Sequence, residues 1–281
     1  TTNMNTDDVE FFPAQQQFLR GDKRYVGYIS GVGAGKTFVG NWRTWLNMEH
    51  WNEGEMGAIV APTRQMIINV ILPEMRDMGF MDRWEHKSSH SDEPGLHSPN
   101  GSRALLLSAD NKRTIERLRG LNLAWWHIDE KTAVPRRAQE ILEQRLRVGE
   151  YRNGYITTTP KGKDDTYDFF VGNENAAKDG FGESTIYETD DKMAIVGVPT
   201  SANPHTPEDY KEAMEQDMPD EIRAQEVQGR FVELGGGVFT RDMLQWIHPT
   251  DAPESNLKTI IGVDPASTAD AQTAQEQDSD Y

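Results

Sequence analysis

Ser30-Gly31-Val32-Gly33-Ala34-Gly35-Lys36-Thr37 is the stretch on which the reading of this chain turns. Phosphate-binding loops follow Gly-x4-Gly-Lys-Ser/Thr, and the match holds at every position but the first, where Ser30 stands in place of glycine. The flanks supply the expected context. Tyr25–Ile29 reads as a buried strand, and Phe38, Val39, Trp42, Trp45 and Leu46 recur at the three- and four-residue spacing of an amphipathic helix. Between strand and helix, glycines let backbone N–H groups turn around phosphate oxygens, and the helix N-terminus adds its positive end. Ser30, Gly31, Val32, Gly33, Ala34, Gly35, Lys36 and Thr37 are therefore expected to cradle a nucleotide. Lys36 would bridge the β- and γ-phosphates, and the Thr37 hydroxyl would ligate Mg2+.

A phosphate loop binds; hydrolysis also needs a metal carboxylate and a base for water. Leu123-Ala124-Trp125-Trp126-His127-Ile128-Asp129-Glu130 offers both at the end of an apolar strand. Asp129 is expected to hold Mg2+ and Glu130 to polarise the attacking water. The paired acids favour an ATPase with an additional strand over a small GTPase, and Asn111-Lys112-Arg113-Thr114 lacks the final acid of a guanine-reading motif. Upstream, Phe11-Phe12-Pro13-Ala14-Gln15-Gln16-Gln17 has the aromatic, the proline and the amide that can grip adenine. Gln15 is the preferred reader, with Gln16 as the alternative.

Further out, strand-like runs (Gly57–Val60, Arg103–Leu107, Leu121–Ile128, Gly154–Thr159, Thr185–Tyr187) alternate with helical stretches (Met66–Met75, Arg136–Val148). Such alternation predicts an α/β fold with a mostly parallel sheet, here of the P-loop, RecA-like kind. Thr206-Pro207-Glu208-Asp209 reads as a helix start, opening a helical lid that runs to about Val232 and is interrupted at Pro219. Gly235-Gly236-Gly237 breaks regular structure. The expected organisation is an ATPase domain over 1–232, a linker over 233–254, and the beginning of another domain over 255–281.

Composition narrows the classes further. Among 281 residues there is no cysteine, which excludes disulfide frameworks, thiolate metal sites and thiol catalysis. No apolar run approaches the roughly 18 residues of a membrane span, and the opening residues show no signal peptide. The chain is expected to be soluble, intracellular and a piece of something longer. Acidic residues number 46 against 29 Lys plus Arg, for a formal charge of −17. A chain this acidic does not coat itself in nucleic acid; a DNA partner would need a local basic groove. With only 11 Lys against 18 Arg, the balance suits a protein that stays soluble in concentrated salt. His86, His90 and His97 flank a Ser/Asp/Pro-rich loop at irregular spacing, which reads as a solvated hairpin rather than a zinc site.

Taken in order, these segments resemble the large terminase subunit of tailed viruses, the motor that fills an empty capsid with DNA. The resemblance runs over nearly the whole chain. It rests on Phe12-Pro13, the deviant phosphate loop, Ala61-Pro62-Thr63, Arg119-Gly120 ahead of Trp126–Glu130, Thr157-Thr158-Thr159-Pro160-Lys161-Gly162, Asn203-Pro204, Gly237-Val238-Phe239 and Gly262-Val263-Asp264-Pro265. It implies that Thr157, Thr158 and Thr159 form a coupling motif that senses the γ-phosphate. It implies that Arg119 is an arginine finger acting across a subunit boundary, and hence a homo-oligomeric ring. It also implies that Asp264 is the first metal-binding residue of a ribonuclease H-like nuclease domain, of which this chain holds too little to cut DNA. ATP and Mg2+ are the implied cofactors. The implied partners are double-stranded DNA, the portal and capsid, and the small terminase subunit, with no membrane, in the host cytoplasm at the viral procapsid. A helicase-like or remodelling translocase, or a nucleotide-controlled assembly protein, is the alternative reading. Arg136, Arg137, Arg145, Arg147 and Arg152 are candidates for a DNA channel, although interleaved Glu140, Glu143 and Glu150 suit a solvated helix equally well.

Overall fold

The computed structural model describes residues 9–207, 209–210 and 218–232, all within one compact unit that ends at Gly235. The expected linker (233–254), the expected nuclease beginning (255–281), Gly235–Gly237 and Asp264 lie outside the described residues.

Among the described residues ten strands form one sheet in the order β3-β4-β5-β2-β6-β7-β1-β10-β9-β8. Its middle is six parallel strands: β5 (Arg103–Ser108), β2 (Met56–Ala61), β6 (Trp125–Asp129), β7 (Asn153–Thr158), β1 (Tyr25–Ser30) and β10 (Lys192–Val198). Antiparallel strands close both ends: β3 (Glu85–Lys87) with β4 (Gly95–His97) on one side, β8 (Ala177–Phe181) with β9 (Ser184–Glu188) on the other. One strand, β7, stands between the phosphate-loop strand β1 and the acid-bearing strand β6. That insertion is the additional-strand arrangement expected from the Asp-Glu pair.

Alternation along each strand sorts the apolar side chains into two layers. On one face Trp125, Tyr155, Tyr28 and Ile59 pack against Phe18 of helix α1 (Pro13–Arg20), Val39 and Trp42 of α2 (Lys36–Leu46), and Ile67, Leu72 and Met75. The last three come from a single interrupted helix: α3 (Arg64–Met66), a π-helical turn at Ile67–Ile71, then α4 (Leu72–Asp77). On the other face Trp126, Ile128, Ile156 and Ile29 pack against Ile115 of α5 (Lys112–Arg117), Ile141 and Leu142 of α6 (Arg136–Arg145), and Phe170 of α7 (Asp165–Phe170). The adjacent Trp125 and Trp126 thus serve opposite layers. Each lies over a glycine on the neighbouring strand. A Cβ on Gly57 would sit 1.9 Å from Trp125, and one on Gly154 would sit 2.2 Å from Trp126.

Several expectations shift in detail. The acid-bearing strand begins at Trp125 rather than Leu121, because Leu123 pairs instead with Leu146 just beyond α6. That pairing also ends α6 at Arg145, short of the expected Val148. The histidine-flanked loop joins the hairpin β3–β4, with His97 hydrogen bonded to the Glu93 carbonyl at 2.9 Å. No metal-holding cluster of His, Cys, Asp or Glu occurs among the described residues.

Candidate nucleotide site

All six parallel strands run the same way, so the C-terminal ends of β1, β6 and β7 share one edge of the sheet. The residues that follow β1 are the glycine loop, and those that end β6 are the two acids. Lys36 and Glu130, 94 positions apart in sequence, meet here. Lys36 Nζ lies 3.9 Å from Glu130 Oε1 and donates to the Gly31 carbonyl at 3.1 Å.

The loop is held from behind. The Gly31 and Val32 amides donate to the Val198 and Glu226 carbonyls at 2.9 and 2.7 Å. Thr200 Oγ1 donates to the Val32 carbonyl at 2.6 Å, and Asn203 Nδ2 to the Gly33 carbonyl at 2.7 Å. A Cβ on Gly31 would meet the Val227 carbonyl at 2.3 Å, so glycine is required there for close packing. Gly33 and Gly35 have φ of +75° and +68°, the left-handed region that turns the chain into α2. Of the expected binding residues, Gly33, Gly35, Lys36 and Thr37 line a cavity of about 740 Å³, within the usual range for small-ligand sites. Ser30, Gly31, Val32 and Ala34 lie behind it and shape the loop.

Gln15 and Gln16 part company. Gln15 is buried on α1, lines the cavity and points its amide at the Gly35 carbonyl, 3.5 Å away. Gln16 is exposed and bonds back to the Phe11 carbonyl at 2.7 Å. Helix α1 is fixed to α2 by the fully buried Arg43, whose guanidinium donates to the carbonyls of Phe18 (2.6 Å) and Gly21 (2.8 Å).

The two acids have different environments. Asp129 is buried. Its Oδ1 accepts from Thr157 Oγ1 at 2.6 Å, while Oδ2 is buried without a partner. Burial pushes its pKa up to about 6, against the opposing pull of the Thr157 hydroxyl. Glu130 has φ of +50°, the one left-handed non-glycine among the described residues. The kink turns a residue that would otherwise face the opposite layer back toward Lys36, and it stores about 1 kcal/mol or more of backbone strain. Glu130 Oε2 also accepts from the Thr159 amide at 3.4 Å. Burial pulls the Lys36 pKa down, opposed by Glu130 and Asp129. A buried carboxylate oxygen without a partner and a helix-start hydroxyl that lines the cavity fit Mg2+, which keeps most of its ligands as water and phosphate. Asp129 and Thr37 would hold it.

The three threonines at the end of β7 divide between the layers. Thr157 bonds to Asp129 and to His127 Nε2 (2.7 Å), whereas Thr158 bonds to the Thr132 hydroxyl at 3.1 Å. Arg119 lies elsewhere. It sits on the turn Leu118–Gly120, is half exposed, and pairs with Glu116. Its carbonyl accepts from Arg145 at 2.7 Å, at the far end of α6 from Asp129. Among the arginines of α6, Arg136 pairs with Glu140 at 3.0 Å and Arg137 with Glu140 at 3.6 Å, the pattern of a solvated helix.

Sequence reasoning missed three polar residues of the site. Asn41 of α2 is fully buried and donates to Glu74 at 3.4 Å. Glu74 of α4 lines the cavity, and burial, with Asp129 and Asp77 nearby, pushes its pKa up to about 7. His127 is the third, and burial pushes its pKa down to about 3. The available signals were a polar residue on a helix face otherwise apolar, and a histidine inside an apolar strand.

Residues 28–246 match the family model described as terminase large subunit, T4likevirus-type, N-terminal. The chain belongs to the terminase large subunit family. No curated protein matches it by sequence, but solved terminases share its fold. The large terminase of a thermophilic bacteriophage superposes with a TM-score of 0.64 at 13% identity, covering 80% of this chain and 54% of that one. The same terminase in complex with ATP-gamma-S gives 0.62 at 16% identity, covering 79% and 53%. The ATPase domain of the Thermus phage P74-26 large terminase gives 0.56 at 21% identity, covering 80% and 95%. The chain thus spans about half the length of the first of these terminases, and its described part has the fold of a terminase ATPase domain.

Proposed function

We propose that this chain binds ATP and hydrolyses it to drive double-stranded DNA into a viral capsid. The observation that carries the reading is the meeting of Lys36 with Glu130, beside an Asp129 oxygen that has no partner of its own. Gln15, which lines the cavity beside Gly35, would read adenine, and Lys36 would neutralise the β- and γ-phosphates. Thr37 and Asp129 would hold Mg2+, which when bound would help to neutralise the phosphate charge. Glu130 takes a proton from the attacking water as its oxygen bonds to the γ-phosphorus. The bond to the β–γ bridging oxygen breaks, and ADP and phosphate leave. Lys36, Glu74, Asp77 and Glu130 line the cavity, so charged groups surround the place where phosphate charge would develop.

Thr157–Thr159 bond to both acids, which supports their reading as the coupling motif. Arg119 sits with the C-terminal end of α6, about 15 Å along a ten-residue helix from the edge that holds the acids. Its half-exposed place there supports action on a neighbour's nucleotide and hence a ring. Portal, capsid and small terminase subunit complete the proposed assembly in the host cytoplasm, with cutting left to a nuclease domain that begins at residue 255 and has Asp264 as its first metal-binding residue. The acidic composition supports a setting of concentrated salt.

ATP turnover, measured with and without linear duplex and empty capsids, tests the reading. Glu130→Gln should lower turnover by about 10²- to 10⁴-fold while ATP stays bound; an unchanged rate would reject the assigned base. Mixing Arg119→Ala with Lys36→Ala subunits should restore activity; no recovery at any ratio, with both still assembling, would remove the cross-subunit finger.

A further inference from the structure

His127 interrupts an otherwise apolar strand two residues before Asp129, on the same face of β6, and is fully buried. Its neighbours fix what it does. The Thr157 hydroxyl has a single proton. That proton goes to Asp129 Oδ1, which accepts it at 2.6 Å. Thr157 Oγ1 must therefore accept from His127 Nε2, at 2.7 Å, so His127 carries its proton on Nε2. Nδ1 is left as a bare lone pair, and it has no partner.

The surroundings are built for this ring. Tyr155 stacks on it at 4.6 Å with planes 14° apart, and the Tyr155 hydroxyl is anchored to Thr44 Oγ1 at 2.6 Å. On the other side Gly40 of α2 leaves the space: a Cβ there would sit 2.7 Å from His127 Cε1 and 3.2 Å from Thr157 Cγ2. A glycine in mid-helix costs about 1 kcal/mol relative to alanine, so its presence needs a reason, and the imidazole supplies one.

We propose that His127 is a positioning residue for the ATPase reaction: through Thr157 it orients Asp129, turning Oδ2 toward the cation, and ties that carboxylate to the coupling strand β7. Outer partners of this kind fix the orientation of a metal ligand and are commonly worth 10- to 100-fold in metal affinity or rate. The proposal rests on the ATPase reading above, but it concerns a hydrogen-bond direction that exists without turnover.

Two measurements on the 281-residue chain test it. In the first, 15N-labelled histidine is observed by NMR in the wild type, where His127 should show a protonated Nε2 and a bare Nδ1. A protonated Nδ1 would overturn the proposal even if no variant folds and no ATP is hydrolysed. In the second, Mg2+ dependence of ATP turnover and Mn2+ binding in the presence of ATP-gamma-S are compared in His127→Leu, His127→Gln and His127→Asn. The glutamine amide reaches the place of Nε2, the asparagine amide only that of Nδ1. His127→Leu and His127→Asn should raise the cation concentration for half-maximal turnover, and weaken Mn2+ binding, by about tenfold or more. Nucleotide binding without cation should change less than about twofold, and His127→Gln should recover most of the loss. Equal cation dependence in wild type and His127→Leu, or a glutamine variant no better than leucine, would overturn it. A wild type that binds Mn2+ as described but turns over no ATP would reject the ATPase reading instead.

Discussion

Replacing Asp129 with asparagine should make the nucleotide-free chain more stable while destroying its use of Mg2+. The side chain is buried, and its pKa stands at about 6 in the fold against an ordinary 3.8. The folded state therefore binds more protons than the unfolded chain between those two values. Stability is highest below pH 3.8 for this group and falls as pH rises toward 6, after which the cost is constant. A shift of about two units corresponds to about 3 kcal/mol. The attraction to Lys36 is already included in that shift, and asparagine keeps an oxygen for the Thr157 hydroxyl, so the net gain at pH 8 should be about 1–3 kcal/mol. Urea unfolding of wild type and variant, at steps from pH 5 to pH 8, isolates this group from the chain's other titrations. The gap between them should widen as pH rises to about 6 and then level off. A variant less stable than wild type at pH 8, or a gap that narrows with rising pH, would refute the electrostatic reasoning.

Other substitutions probe the packing around the site. Gly40→Ala, normally favourable in a helix, should bring a methyl against His127 and Thr157; turnover should fall and the urea midpoint should not rise. Gly154→Ala forces a Cβ into the Trp126 ring and should cost about 1–3 kcal/mol in urea unfolding, with little effect on cation affinity if the chain remains folded. Thermal melting from dilute to molar KCl should show rising stability with salt, as screening relieves the repulsion of a −17 chain; greatest stability in dilute buffer would reject the high-salt setting.

The parts of this molecule legible in its sequence are those that local physics dictates. The loop between β1 and α2 could be read because glycines, lysine and threonine occur at fixed spacing between a buried run and an amphipathic one. The acids could be read because they end an apolar strand. Strand β10, which lies directly beside β1, was missed: its short run of Met, Ala, Ile and Val does not distinguish a strand buried on both faces from a helix segment. The three-residue β3 and β4 and the polar β8 exist through pairing with neighbours rather than through propensity. Both π-helical turns, at Asn47–Trp51 and Ile67–Ile71, are likewise tertiary outcomes. The same divide runs through the site. Lys36, Thr37, Asp129 and Glu130 announce themselves by motif. Asn41, Glu74 and His127 acquire their roles only once α2, α4 and β7 are brought against one another.

A structure of the chain crystallised with Mg2+ and ATP-gamma-S offers the plainest check. The triphosphate should lie along Gly33–Thr37, with Mg2+ about 2.1 Å from the Thr37 hydroxyl, Asp129 Oδ2 in its coordination or water shell, and Glu130 facing the γ-phosphate. A triphosphate bound away from Lys36, or a cation that meets neither Thr37 nor Asp129, would contradict the assignment of this edge of the sheet as the engine of a motor.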